Sequence, residues 1–404
     1  MKLYFAICCI IYCLCAVFAN AFGITSPDLQ AFLGTTETQQ GLIVTFQSIG
    51  GLLAAIFLAL YGERFNKIKT IAVGTAAVAV SALLVGLLPC FFSQESGRSF
   101  AYNLLFIVLA IGGIGNSTVD LTMNGMVADL YSKSKGLHIP VIHTFYGAGA
   151  MITPIIFMCS IPLWTGAPRF STPYLIIALV GLTCFAAYAF SAKKVIPLSP
   201  YADMRATRQL VCHNPAEVFT SLRSWALIFI AFLYAAFQYG LSIWLSTYNI
   251  QQVGLSQAHS GYVVSAYFSV ALVMRLFSPK ILTRLSASKY YAIFGIAASI
   301  SLSAAFCSSS SAVFIIFLLL GGFLQGGLVP CFMIIASDAL PNRQSAAAAF
   351  FLIAMNLAGL LVPLIMGVII EHISFRLAML FIIFCLFLSA AFLNLRGKTV
   401  GQRN

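Results

Sequence analysis

Nine of the ten acidic residues fall in polar connections or at the ends of apolar stretches, and only Asp120 lies deep inside one. Asp120 stands nine residues before Asp129, so a helix would hold it about 14 Å from the polar end of its stretch, near the bilayer midplane. An ionised carboxylate there costs at least about 2.5 kcal/mol, so such groups face a wet cavity or a hydrogen-bonding neighbour. Asn116, Asp120 and Asn124 recur at every fourth residue and form one polar stripe on that helix. A carboxylate so placed is a candidate proton carrier; the alternative is a structural hydrogen bond to a neighbouring helix.

His143 lies just inside the next apolar stretch, where it can share a proton with Asp120, bind a solute or pack. The seventh stretch carries Gln238, Tyr239, Ser242 and Trp244, with Gln238 and Ser242 on one face. Its aromatic residues, Trp244 and Tyr248 among them, either stack on a ring-shaped solute or anchor at the outer interface. Asn20, Gln47, Gln325 and Asn356 are isolated amides in four other stretches. Amides donate and accept without imposing charge, which suits an uncharged, hydroxyl-rich ligand. Arg275 is the single basic residue within a stretch, and it either snorkels, pairs structurally or meets an anionic solute.

These residues need elements that hold them in hydrocarbon. The 404-residue chain is 61% hydrophobic and 8% charged, too little polar surface for a soluble globule. Twelve blocks are long and apolar enough to span as helices: Leu3–Ile24, Gln40–Gly62, Ile68–Phe92, Phe100–Leu130, Ile139–Trp164, Pro173–Ala192, Ser224–Asn249, Ala258–Ser278, Lys289–Ser308, Ala312–Ser337, Gln344–Glu371 and Ser374–Leu395. The expectation is an all-α membrane protein of twelve transmembrane helices. With the N-terminus inside, 18 of the 22 Lys and Arg residues fall in inner loops and tails and three in outer loops. That bias predicts cytoplasmic termini and explains the net charge of +12 without nucleic acid. Met1-Lys2 and the following apolar run resemble a cleavable signal, but the run is long for one and its removal leaves an odd number of spans. The eleven cysteines show neither CxxC pairs nor metal-ligand spacing and read as small hydrophobes.

The longest polar stretch, near the midpoint, divides the chain into 1–192, a central cytoplasmic loop 193–223, and 224–404. The two halves repeat each other. At an offset of 220, Gly34, Gly41, Arg64 and Lys69 match Gly254, Gly261, Arg284 and Lys289. At an offset of 209, Gly112-Gly113, Asp129 and Pro154 match Gly321-Gly322, Asp338 and Pro363. Parallel repeats of six helices place the solute near the midplane.

The loop Gly62-Glu63-Arg64-Phe65-Asn66-Lys67-Ile68-Lys69 resembles the cytoplasmic loop motif of the major facilitator superfamily, departing from it at Ala59 and Asn66, where glycine is usual. Gly112 to Asn124 and His143 to Pro154 resemble the fucose/glucose–proton symporter group. The fucose branch's second acid, before the proline of the first helix, is missing ahead of Pro27, so a one-carboxylate route fits better. The resemblance implies two pseudo-symmetric six-helix bundles and proton-coupled symport of a small neutral solute, a monosaccharide above all. It also implies gating by cytoplasmic charge clusters built from Glu63, Arg64 and Asp129, and from Arg284 and Asp338; exposed loop pairs of little worth are the alternative.

The other readings are a proton-driven drug or metabolite exporter, which the missing Gly-Pro pair in Gly147–Pro154 disfavours, and a transport-inactive sensor. No phosphate loop, nucleophile–base pair or metal cluster points to an enzyme. No cofactor is expected beyond an ion gradient, with sodium as the alternative to the proton. The expected partners are the solute and the bilayer, for a monomer in a bacterial inner membrane.

Overall fold

The computed structural model describes residues 2–62, 65–92, 95–130, 135–160, 162, 168–195, 222–339 and 344–400. Helices make up nearly all of it: α1 Lys2–Leu33, α2 Glu37–Tyr61, α3 Lys67–Phe91, α4 Glu95–Leu130, α5 Lys135–Cys159, α6 Ser171–Val195, α7 Leu222–Gln251, α8 Gln257–Leu282, α9 Ala287–Cys307, α10 Ser311–Gln325, α11 Leu328–Ala339, α12 Gln344–His372 and α13 Phe375–Val400. Twelve segments are long and apolar enough to cross a membrane, with α10 and α11 together making one of them. The reason is the solvent: hydrocarbon offers backbone groups no partner, so each segment hydrogen-bonds to itself. Exposed faces are correspondingly apolar, as at Ile107, Leu179, Phe190, Ile300, Ile316 and Phe384.

The chain forms two compact units, Met1–His213 and Asn214–Asn404. In the first, α4 packs on α2 and α3, α3 on α6, and α1 on α5; in the second, α10 packs on α8 and α9, α13 on α7 and α9, and α12 on α7. The sequence repeat reappears as shared backbone devices. Gly34 and Gly254, 220 residues apart, both hold positive φ, at 69° and 76°, ending α1 and α7. Thr36 and Ser256, at the same offset, cap α2 and α8 by accepting backbone N–H bonds from Gln39 and His259. Asn66 and Ser286 cap α3 and α9 in position, and Asn66 accepts from the N–H groups of Ile68 and Lys69 at 3.0 and 3.2 Å. The departure from glycine at Asn66 is therefore a helix start.

Glycines set the closest approaches. A Cβ on Gly113 of α4 would run into the Gln47 carbonyl of α2. One on its repeat partner, Gly322 of α10, would strike the ring of Tyr267 on α8, the residue 220 places after Gln47. Small residues let helices meet in lipid, where dispersion and hydrogen bonds drive association.

Helix ends differ from the expected bounds by up to five residues, as where α4 starts at Glu95 and α5 ends at Cys159, and two departures are larger. The first span runs through Pro27 to Leu33 rather than ending at Ile24. The tenth span is broken between Gln325 and Leu328. Pro330 has no N–H for the Gly326 carbonyl and its ring crowds that carbonyl, while two glycines lower the cost of the break.

Gly113→Val should cost about 3 kcal/mol or more, since the opposing atoms are backbone and cannot yield. Gly62→Ala meets only Leu58 side-chain carbons at 3.6 Å and should be nearly neutral. Thermal unfolding of both variants in detergent checks the contrast.

Candidate functional site

In the first unit, α4 turns Asp120 and Asn124 toward α1 and α5. Tyr12 of α1 donates its hydroxyl to Asp120 Oδ1. Asn124 Nδ2 donates to the Tyr12 hydroxyl at 3.2 Å and to the Asp120 carbonyl at 2.9 Å. Its Oδ1 faces His143 Nε2 of α5 at 3.0 Å, and with the amide nitrogen committed elsewhere, that contact has Nε2–H as the donor. His143 meets the Tyr12 ring edge-on, with centroids 5.4 Å apart.

Burial grades along this chain of bonds. Tyr12 is 1% exposed, Asp120 and Asn124 are half-buried, and His143 is exposed. Beneath them Tyr4, Cys8, Met123, Met126, Ile142 and Tyr188 form a packed core, with the Tyr4 hydroxyl donating to that of Tyr188 at 2.7 Å. Gly149 of α5 brings the Cys13 carbonyl of α1 against its own backbone, so α1 and α5 approach without an intervening side chain. That contact fixes Tyr12 opposite the α4 stripe.

Sequence reading brought Asp120, Asn124 and His143 together but missed Tyr12, one aromatic residue in an apolar run. Its only signal was a hydroxyl-bearing residue in the first span. Asn116, one turn from Asp120, is half-buried, and its Oδ1 is a buried acceptor without a donor among the described residues. Asn20 turns back to donate to the Ala16 carbonyl of its own helix at 2.8 Å, and Gln47 is half-buried on α2.

In the second unit, Gln238, Tyr239 and Ser242 are half-buried on α7. Gln325, at the repeat position of Asn116, is buried and accepts from the Tyr234 hydroxyl at 3.2 Å. Asn356 of α12 is also buried. Trp244 corrects the expectation of a stacking or anchoring role, whereas the Tyr248 hydroxyl bonds to Arg376 at the end of its span. They are 1% and 3% exposed, and their rings pack on Phe375, with Phe306 and Phe314 also against Tyr248. Their face of α7 lies inside the bundle, where apolar rings do more for packing than for anchoring. Glu63, Arg64 and the Asp129 side chain lie outside the described residues. Arg284 and Asp338 are both exposed and form no ion pair with each other.

The Major Facilitator Superfamily family model matches residues 8–301 and 251–403. The chain belongs to the major facilitator superfamily. Among solved structures, a D-xylose–proton symporter is similar at a TM-score of 0.79 and 15% identity, over 97% of each chain. A bacterial homologue of the human lysosomal transporter Spinster, inward-facing and occupied, gives 0.76 and 14%, over 98% of this chain and 96% of that one. The nucleoside transporter NupG gives 0.72 and 13%, over 97% and 98%. At these identities the likeness shows the fold alone. No curated protein sequence matches the chain. As a superfamily member with twelve apolar helices, it is an integral multi-pass membrane transporter.

Tyr12→Phe should leave the fold intact but remove one donor and one acceptor from the network. With its polar partners left unsatisfied, the variant should lose about 1–3 kcal/mol. Combined with Asp120→Asn, the two changes should be non-additive by at least about 0.5 kcal/mol, measured as a double-mutant cycle of unfolding.

Proposed function

We propose that this transporter is a proton-coupled symporter of a small hydroxyl-rich solute, a monosaccharide being the expected class, with Asp120 carrying the proton. The network joining a half-buried carboxylate to an exposed imidazole carries this reading. A carboxylate that served only to tie helices together would be satisfied by Tyr12 and Asn124. His143 adds a titratable group at the accessible end, giving a proton a place to enter. Asn116, with its orphaned acceptor next to Asp120, is the natural first contact for a solute hydroxyl.

Solute and proton are coupled because each changes what the other meets. A solute hydroxyl at Asn116 lies one helical turn from the carboxylate, and protonating Asp120 removes the charge that would hold that region in contact with water. The similar D-xylose–proton symporter supports proton coupling on this fold, and the amides support a hydroxylated solute. Sodium is the alternative coupling ion, since a carboxylate with amide oxygens also ligates it. We place both termini on the cytoplasmic side of a bacterial inner membrane, on the strength of the Lys and Arg bias. We assign gating to two cytoplasmic charge clusters, Glu63 and Arg64 with Asp129 in one half and Arg284 with Asp338 in the other.

In proteoliposomes, adding the transported sugar should alkalinise the external medium for the wild type and not for Asp120→Asn. Exchange of labelled for unlabelled solute should persist in the variant. Uphill uptake unchanged in Asp120→Asn would sink the assignment, and proton movement triggered by amphiphilic cations instead of sugars would point to an exporter.

A further inference from the structure

Arg275 does not snorkel. It lies seven residues before the end of α8, about 10 Å from the basic connection to α9. Side chains on a helix lean toward its N-terminus, so the guanidinium is carried away from that connection and into the span. Its Nε donates to the Gly326 carbonyl at 3.4 Å. Gly326 sits at the break between α10 and α11, with roughly 22 Å of helix on one side and roughly 18 Å on the other. The cation is therefore held near the middle of the membrane.

It does not face lipid either. Val273, Leu276 and Phe277 are exposed and mark the lipid side of α8, and at about 100° per residue Arg275 falls on the opposite side. It is half-buried there, and no acidic side chain pairs with it among the described residues. The carbonyl it contacts is free because Pro330 cannot donate to it. Among the described residues that is its single bond, which uses one of five N–H groups and leaves the outer edge of the guanidinium without an acceptor there.

Two tyrosines that pack against the same helix break carry hydroxyls as well. Tyr267 turns its hydroxyl toward Gln325 without completing a hydrogen bond, and Tyr290 places its hydroxyl against Gly327. Both residues are buried, at 1% and 0% exposure, and neither hydroxyl donates to an acceptor among the described residues. A cation with unmatched buried donors around a helix break is the complement of a carboxylate, which offers two oxygens and no proton.

We propose that Arg275, with the hydroxyls of Tyr267 and Tyr290, binds the carboxylate of the transported solute, so that the solute is a hydroxylated organic acid of sugar size. This rests on the transport reading above and replaces the expectation of an uncharged solute, which came from the amides alone.

Equilibrium dialysis of the purified full-length protein against labelled gluconate, glucuronate, lactate and glucose tests it. The wild type should bind at least one of the acids 10-fold or more tighter than glucose. Arg275→Gln should abolish that preference, and Arg275→Lys should keep only part of it, because a point charge cannot present a two-pronged edge. Each variant is compared at equal melting temperature and monodisperse elution. Should Arg275→Gln not fold, Tyr267→Phe is the second variant, expected to lower the preference several-fold. No preference in the wild type, or an unchanged one in Arg275→Gln, overturns the proposal; so does a Lys variant equal to wild type, which would reduce Arg275 to a cap on Gly326. A wild-type preference that is present while solute uptake moves no protons would sink the symport reading alone.

Discussion

In hydrocarbon, a polar group that is not hydrogen-bonded to the protein has nowhere else to go, and most of this structure follows from that. Backbone groups close on themselves in helices. Buried hydroxyls return to the carbonyl one turn back, as Thr25, Thr75, Thr153 and Ser299 do to Ala21, Ile71, Gly149 and Gly295. Where the constraint is relaxed, chemistry collects. At the α10–α11 break a carbonyl loses its helical donor and an arginine takes that donor's place. On α4 a carboxylate is tolerated because a tyrosine and an asparagine from its surroundings answer it.

The two units keep common scaffolding and divide the charge. Positive-φ glycines, N-caps and close-approach glycines recur at constant offsets, because each solves a backbone problem common to both units. The charged residues inside the spans do not recur, unlike those at the helix ends. Asp120 has Val329 at its repeat position, and Arg275 has Ala55. Asn116 and Gln325 do correspond, so the unit with the acid and the unit with the base each keep one amide at the same place. Duplicated packing with divergent chemistry leaves the buried acid in one unit and the buried base in the other.

The residues that complete both sites were poorly visible in sequence for a common reason. Tyr12, Tyr234, Tyr267 and Tyr290 sit in apolar runs where an aromatic residue reads as packing, and a phenol's role depends on what its single hydroxyl reaches. Trp244 misled in the opposite sense: its position near a span end suggested an interface, yet its ring packs on Phe375 inside the bundle. Arg275 was seen as exceptional, but direction along the helix and a contact with another span were needed to separate snorkelling from insertion. The Gly-Gly-Leu-Val-Pro run ending at Pro330 did hold the signal for a broken helix, although length and hydropathy alone favoured one continuous span.

Spans, repeat, charge bias and the isolation of Asp120 were determined by the sequence itself, because each depends on composition and spacing along one chain: about 20 apolar residues to cross, a fixed offset, a count of basic residues per loop. The partners of Asp120, the inward burial of Trp244 and the reach of Arg275 were decided only in the tertiary structure. They depend on which faces of distant helices meet, and that is set by close approaches such as Gly149 on Cys13 and Gly326 on Ala271, whose consequences lie 100 or more residues away for one and 55 for the other. Helical periodicity gives the face a residue occupies; only packing gives what stands opposite it.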